Sequence, residues 1–277
     1  MLAITLPPPP VDSLVIAYSG GKDSLALLDL CYRELKSTPT PARLSKLAVF
    51  FMEFLPGLDY SDYYCGLAER RYGLRVHRYQ HWGTSLAFRS GVFLPFPINV
   101  PKVGLVDIER QVRSDTGIEW IAYGYKSIDS LQRRAWLNKW PDGLNAARRI
   151  CAPLKAWNNT DVQSYLQRRH IPVLATSGGH GGRRVSGLDL TPGCMKYMRD
   201  TWPGDYERIL RVFPYAGAQA GREASIPVRR KAGRPRKVRD VEVDVDVDVE
   251  VDVDVDVDVD VDITREVDPD PEANPCV

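Results

Sequence analysis

The stretch Val15-Ile-Ala-Tyr-Ser-Gly-Gly-Lys-Asp-Ser-Leu-Ala-Leu-Leu-Asp-Leu30 combines a strand, a glycine turn and the start of a helix. The apolar residues 14–18 predict a buried strand of a parallel sheet. The helix that follows begins with unpaired backbone N–H groups and the positive end of its dipole, and both attract anions. We therefore predict a phosphate site made by Ser19, Gly20, Gly21, Lys22, Asp23 and Ser24.

The order Ser-Gly-Gly-Lys-Asp-Ser at residues 19–24 differs from a Walker A loop, which requires Gly-x4-Gly-Lys-Ser/Thr. It resembles the PP-loop of the ATP pyrophosphatases, in which Ser-Gly-Gly-x-Asp-Ser holds the phosphates of an adenine nucleotide. The alternative is a glycine turn between strand and helix that needs no ligand. A match to this pattern over six consecutive residues in a strand-to-helix context favours the nucleotide site.

Charge is distributed unevenly along the 277 residues, although the net charge is only +1. Residues 1–221 carry a net +9, residues 222–239 a net +7 and residues 240–277 a net −15. A basic body, a more basic linker and an acidic tail predict a polyanionic partner and a tail that competes for the same surface. We expect four segments: an extension over 1–11, a nucleotide-binding domain over 12–221, the linker and the tail.

The five cysteines, Cys31, Cys65, Cys151, Cys194 and Cys276, lack Cys-x-x-Cys spacing, and their number is odd. The sequence contains no visible signal peptide or membrane span. We expect a reduced cytoplasmic protein with no membrane partner, and the sequence leaves its oligomeric state open.

Apolar runs alternate with helical patterns after the first helix. We predict strands over 47–52, 75–79 and 119–123 and a helix over 60–72, with Glu53 at the sheet edge that also carries the glycine turn. This alternation predicts an α/β fold, a doubly wound parallel sheet with helices on both faces. Residues 81–101 favour an irregular packed loop over an active-site lid.

A second candidate block, residues 124–134, follows the predicted fourth strand and faces the glycine turn across the sheet edge. Lys126, Ser130 and Arg133 are donors suited to phosphate or sulfate, although a solvated basic helix start would have the same composition. The block resembles the phosphoadenosine-phosphosulfate (PAPS) reductase family, whose Gly-x-Arg…Ser-x-x-Arg pattern grips the nucleotide. Gly124, Ser130 and Arg133 match it, and Lys126 replaces an arginine.

A third block, residues 151–166, is similar to the family's Pro-Leu-x-x-Trp segment, and residues 191–197 resemble its Gly-Cys segment. The resemblance therefore covers roughly residues 12–215. Asn159 or Thr160 is expected to cap a helix here, and Pro172 to follow its end. Most of this block is interpreted as a packing helix.

The family's reductive cysteine motif, Glu-Cys-Gly-Leu-His, is absent from the chain. Cys194 and Cys276 are weaker candidates for a nucleophile, and each is otherwise an ordinary thiol. The cysteine spacing of the family's iron–sulfur branch is also missing, so we predict no iron–sulfur cluster and no protein-held metal. The candidate catalytic residues are Lys22, Asp23 and Arg133; the loop amides, Lys22 and Arg133 would stabilise charge that builds up on the α-phosphate.

The linker resembles an AT-hook over residues 229–239, whose Gly-Arg-Pro core lies in A·T-rich minor grooves. The DNA-binding candidates are Arg230, Lys231, Gly233, Arg234, Pro235, Arg236 and Lys237. A generic basic linker is the alternative. Val241 to Asp262 contains eleven Val-Asp/Glu dipeptides, which we interpret as a neutral repeat expansion or a DNA mimic, and we expect both segments to be disordered.

The leading hypothesis is a PAPS reductase-family enzyme that binds PAPS, adenosine phosphosulfate (APS) or ATP and breaks a bond at the activated phosphate. Mg²⁺ would accompany ATP, and a thiol reductant would serve a reductase. The alternatives are an ATP-dependent DNA sulfur-modification enzyme and a nucleotide-sensing DNA-binding protein without catalysis.

Overall fold

The fold is described from a computed structural model, which covers residues 12–36, 44–171 and 188–218. The N-terminal extension, Pro172, the AT-hook-like linker, the acidic tail and Cys276 lie outside these ranges. The predictions made for them stay predictions.

A six-stranded sheet forms the centre of the described chain, in the order β3-β2-β1-β4-β6-β5. Its strands are β1 Ser13–Tyr18, β2 Lys46–Glu53, β3 Val76–Gln80, β4 Ile121–Ala122, β5 Leu144–Asn145 and β6 Ile150–Cys151. All neighbours pair in parallel except β5 and β6. The chain moves outward from β1 to β3 and then returns to the other side of β1, so a topological switch point lies between β1 and β4.

Helices connect or flank these strands in the described residues. They are α1 Lys22–Lys36, α2 Asp59–Tyr72, α3 Trp82–Ser90, α4 Leu105–Thr116, α5 Leu131–Asn138, α6 Asn159–Arg168, α7 Pro192–Thr201 and α8 Pro203–Val212. A 3₁₀ turn at Pro141–Gly143 precedes β5.

Both faces of the sheet are covered, because the side chains of β1 alternate between two apolar clusters. Leu14 and Ile16 join the cluster that includes residues from α1, α2, α6, α7 and α8. Val15 and Ala17 join the other, with residues from α4 and α5. This arrangement confirms the predicted α/β class with helices on both faces.

Three local predictions are wrong. Residues 81–101 contain helix α3, where a loop was expected, and the His81 side chain accepts a hydrogen bond from the Gly83 N–H to cap it. The cap of α6 is Asn158, whose Oδ1 lies 3.0 Å from the Asp161 amide nitrogen; Asn159 and Thr160 are already helical. The fourth strand is only Ile121–Ala122.

Candidate functional site

The turn between β1 and α1 is shaped by its own side chains. Gly20 adopts φ +75°, and a Cβ there would lie 2.4 Å from the Tyr64 ring, so glycine is required on both counts. The Ser24 hydroxyl accepts from the Ser19 N–H at 3.2 Å and donates to the Gly21 carbonyl at 2.9 Å. The serines therefore fix the loop that presents the first-turn N–H groups of α1.

The loop at the end of β4 packs directly on this turn. A Cβ at Gly124 would lie 3.1 Å from both the Asp23 carbonyl carbon and the Ser24 nitrogen. The first two blocks thus meet at the switch point between β1 and β4, where ligands of open α/β sheets bind. Their chain separation is about one hundred residues, so only the sheet topology brings them together.

Asp23 connects the two blocks electrostatically. Its Oδ2 lies 2.7 Å from the Nζ of Lys22 and 2.7 Å from the Nζ of Lys126. Lys126 is fully buried, and its ammonium also lies 2.9 Å from Asp129. A buried ammonium between two carboxylates positions the loops, so these contacts favour a positioning role for Lys126 over direct ligand contact. Lys22 itself is only 7% exposed.

Ser130 and Arg133 lie at the start of α5. The Ser130 hydroxyl accepts from the Arg133 N–H at 3.0 Å and caps the helix. The Arg133 guanidinium lies 4.5 Å from the centre of the Tyr125 ring and 3.5 Å from Asp129. Stacking and pairing hold this cation at the edge of the site in a defined orientation.

Glu53 ends β2 at the same sheet edge. Desolvation raises the pKa of its carboxyl above the usual 4.5, and the guanidinium of Arg78, 3.8 Å away, opposes that rise. No hydrogen-bond donor among the described residues reaches its buried Oε2. A carboxyl of this kind is suited to accept a hydrogen bond from a ligand.

The cysteines of the described ranges are all buried, and they include Cys194. Burial raises the pKa of the Cys194 thiol well above its usual range, and its sulfur accepts from the Asp189 N–H at 3.4 Å. Since the thiolate is the reactive form, this environment is opposed to the nucleophilic role considered for Cys194.

Three residues at the site were missed by the sequence reasoning: Tyr64, Tyr125 and Asp129. Asp129 had a signal, because it lies three residues after Lys126 and four before Arg133, inside the second block. The contacts of Tyr64 and Tyr125 depend on packing, and nothing in their local sequence indicates them.

Two further features concern metal binding and membrane spans. Groups of three or more His, Cys, Asp or Glu arranged to hold a metal ion are not found within residues 12–36, 44–171 and 188–218. Of the helices described, none combines the length and apolar character needed to cross a bilayer.

No protein-family model matches the chain, and no curated protein sequence matches it. Among solved structures it is similar to the U34-tRNA thiolase NcsA of Methanococcus maripaludis, solved with its 4Fe–4S cluster. The identity is 14%, the match covers 74% of this chain and 71% of that one, and the TM-score is 0.40.

The chain is also similar to an NH3-dependent NAD synthetase from Campylobacter jejuni, at 12% identity, 83% and 91% coverage and a TM-score of 0.37. An FMN adenylyltransferase of Candida glabrata, solved with FAD and pyrophosphate, matches at 15% identity and a TM-score of 0.37, over 57% of this chain and 49% of that one. The chain thus spans about half the length of this adenylyltransferase. At such scores the likenesses carry no argument about activity.

Proposed function

We propose that residues 12–218 form a PP-loop domain that binds an adenine nucleotide and breaks a bond at its activated phosphate. The observation that carries the proposal is the contact between the two blocks. Gly124 packs against the backbone of Asp23 and Ser24, and Lys126 pairs with Asp23. An anion-binding helix start and a second basic segment thus share one sheet edge.

The roles of the side chains follow from this arrangement. The first-turn N–H groups of α1 and Lys22 would bind phosphate oxygens, and Arg133 would neutralise charge that builds up on the phosphate under attack. Asp23 and Lys126 hold the two loops at the correct separation. Glu53, at the neighbouring strand end, would accept from a hydroxyl or amino group of the nucleoside.

The nucleotide is proposed to be ATP rather than PAPS or APS. Reduction of a sulfated nucleotide requires an attacking thiolate, yet the described cysteines are buried, and burial raises the pKa of Cys65 to about 12. With ATP, an acceptor nucleophile attacks the α-phosphate, the α–β bond breaks, and pyrophosphate leaves. Mg²⁺ would enter with ATP and keep several waters, its other ligands being phosphate oxygens and one or two carboxylates. The buried Asp23 Oδ1, which no described donor reaches, would be one of these carboxylate ligands.

The second candidate function is that of a PAPS reductase, which the Ser130-to-Arg133 pattern favours. The absence of an iron–sulfur cluster also stays a prediction.

The test is a binding panel of ATP, APS, PAPS and AMP, followed by product analysis on each nucleotide that binds. Release of pyrophosphate from ATP supports the proposal, and release of sulfite from PAPS in the presence of an added thiol reductant supports the second candidate. Arg133→Ala should weaken binding of ATP or PAPS more than binding of AMP, because AMP lacks the extra anionic groups. Equal losses for all nucleotides would make Arg133 structural, and binding of none would refute the nucleotide site.

A further inference from the structure

A second basic site lies at the other end of α1. The ends of three helices, α1, α2 and α6, enclose an open pocket of about 350 Å³. We call it the basic pocket; its cations are Arg33, Lys36, Arg71 and Arg169. Lys36 lies fourteen residues after Lys22 on one helix, about 21 Å away at 1.5 Å per residue, so the pocket is separate from the candidate nucleotide site.

The carboxylate among the residues that line the pocket belongs to Asp29, and neighbouring side chains neutralise it. Asp29 is 3% exposed and accepts hydrogen bonds from the hydroxyls of Tyr72 at 3.2 Å and Tyr165 at 2.6 Å. The Nε of Arg169 lies 3.2 Å from the same carboxylate. The carboxylate of Asp29 is therefore fully paired by hydrogen bonds and an ion pair, and it orients Arg169 at the rim of the pocket.

Two of the remaining cations, Lys36 and Arg71, lie over tyrosine rings. The Lys36 ammonium lies 5.6 Å from the centre of the Tyr32 ring, and the Arg71 guanidinium lies 5.8 Å from that of Tyr72. The two rings contact each other edge to face, with centroids 5.1 Å apart. The pocket thus combines aromatic faces with fixed cations, a combination typical of sites for single-stranded nucleic acid.

Helix dipoles do not account for so many cations in one place. Each helix C-terminus carries roughly −0.5 of an elementary charge. The negative charge of three such termini and Asp29 is smaller than the positive charge of the four cations, so the pocket keeps a net positive charge. Cations that served only the dipoles could equally point apart into solvent, where their mutual repulsion would be smaller.

We propose that the basic pocket binds a phosphate group of a single-stranded nucleic-acid backbone. The pocket volume is suited to one nucleotide unit, and the positive net charge of residues 1–221 would attract the rest of the strand. This site is distinct from residues 229–239, whose predicted target is the minor groove of duplex DNA. It also stands independently of the proposed nucleotide chemistry.

The experiment measures binding of a mixed-sequence single-stranded 20-mer to the full chain across a salt series. The test variant is Lys36→Gln/Arg71→Gln, since both side chains are exposed. The matched control is Lys102→Gln/Arg110→Gln, which removes the same charge at exposed positions before and within α4. Residues 229–239 contribute equally to all three proteins.

The test variant should bind several-fold more weakly at low salt, and its log–log salt slope should be shallower by about 0.7, the value for one lost phosphate contact. The control should match the wild type. Equal losses in both variants, or no loss in either, would overturn the proposal.

A competition arm distinguishes the sources of the phosphate. Inorganic phosphate, at constant ionic strength, should displace the strand only weakly. If the wild-type chain binds inorganic phosphate through Lys36 and Arg71 but does not bind the strand, the pocket is a site for small anions and the proposal is wrong. Binding of ATP, measured in parallel, reports the nucleotide site separately.

Discussion

Gly20 shows how a single residue controls the geometry of the candidate site. Its positive φ and its contact with Tyr64 exclude any side chain, and the loop conformation depends on both. Gly57 has nearly the same φ, +74°, but nothing lies within 4 Å of a Cβ there. A comparison of substitutions at the two glycines therefore distinguishes the effect of backbone strain from that of steric contact.

We predict that Gly20→Ala is more destabilising than Gly57→Ala. Both substitutions force a side chain into the left-handed region, which costs about 1–3 kcal/mol. Gly20→Ala must also displace the Tyr64 ring, and its loss of nucleotide binding should exceed any loss in the control. Chemical denaturation measures the loss of stability and nucleotide titration the loss of binding. Equal losses in the two variants would show that the Tyr64 contact does not contribute.

Glu53 provides a pH-dependent test. Because desolvation raises its folded pKa, the protonated form favours folding, and that stabilisation is lost as pH rises from about the usual 4.5 through the folded value. Glu53→Gln should therefore unfold at higher denaturant concentration than wild type at neutral pH, with the difference shrinking below the usual pKa. A variant less stable than wild type at neutral pH would show that the pairing with Arg78 outweighs desolvation.

At the scale of elements, the glycine turn and the strands before and after it follow from local patterns, and the structure agrees with them. The α3 helix was missed because residues 81–101 are rich in residues that usually break helices, while its cap comes from the His81 side chain. The β4 strand is shorter than its apolar run, Trp120 lying outside it. Local sequence could not provide the contacts of Tyr64 or the position of Lys126, because both depend on packing between distant segments.

The cap of α6 gives an element-scale prediction. Asn158→Ala removes a capping-box side chain and should cost about 1 kcal/mol of stability. Thr160→Ala, at a neighbouring position considered from sequence alone, is exposed and should change stability by less than about 0.5 kcal/mol. Thermal or chemical unfolding of the two variants decides which residue caps the helix.

At the scale of the whole molecule, the uneven distribution of charge along the chain is not explained by the fold. The hook-like segment and the acidic tail lie outside the described residues, so their roles rest on sequence. A +7 linker followed by a −15 tail on one chain predicts competition between DNA and the tail.

We predict that a variant ending at Arg239 binds A·T-rich duplex DNA more tightly than the full chain at low salt. About five phosphate contacts would give the truncated variant a log–log salt slope of about −4.5. The difference between the two proteins should close as salt screens the tail. Equal binding by both would refute masking, and lack of binding by either would make the segment a simple linker.

The central claim is that the turn at residues 19–24 and the segment after β4 form one nucleotide site. Calorimetric titration with Mg–ATP tests it on wild type, Lys22→Ala, Arg133→Ala and the surface control Lys102→Ala, with thermal unfolding to verify that each is folded. We expect binding by wild type and Lys102→Ala and markedly weaker binding by Lys22→Ala and Arg133→Ala. Unchanged ATP affinity in both site variants would contradict it.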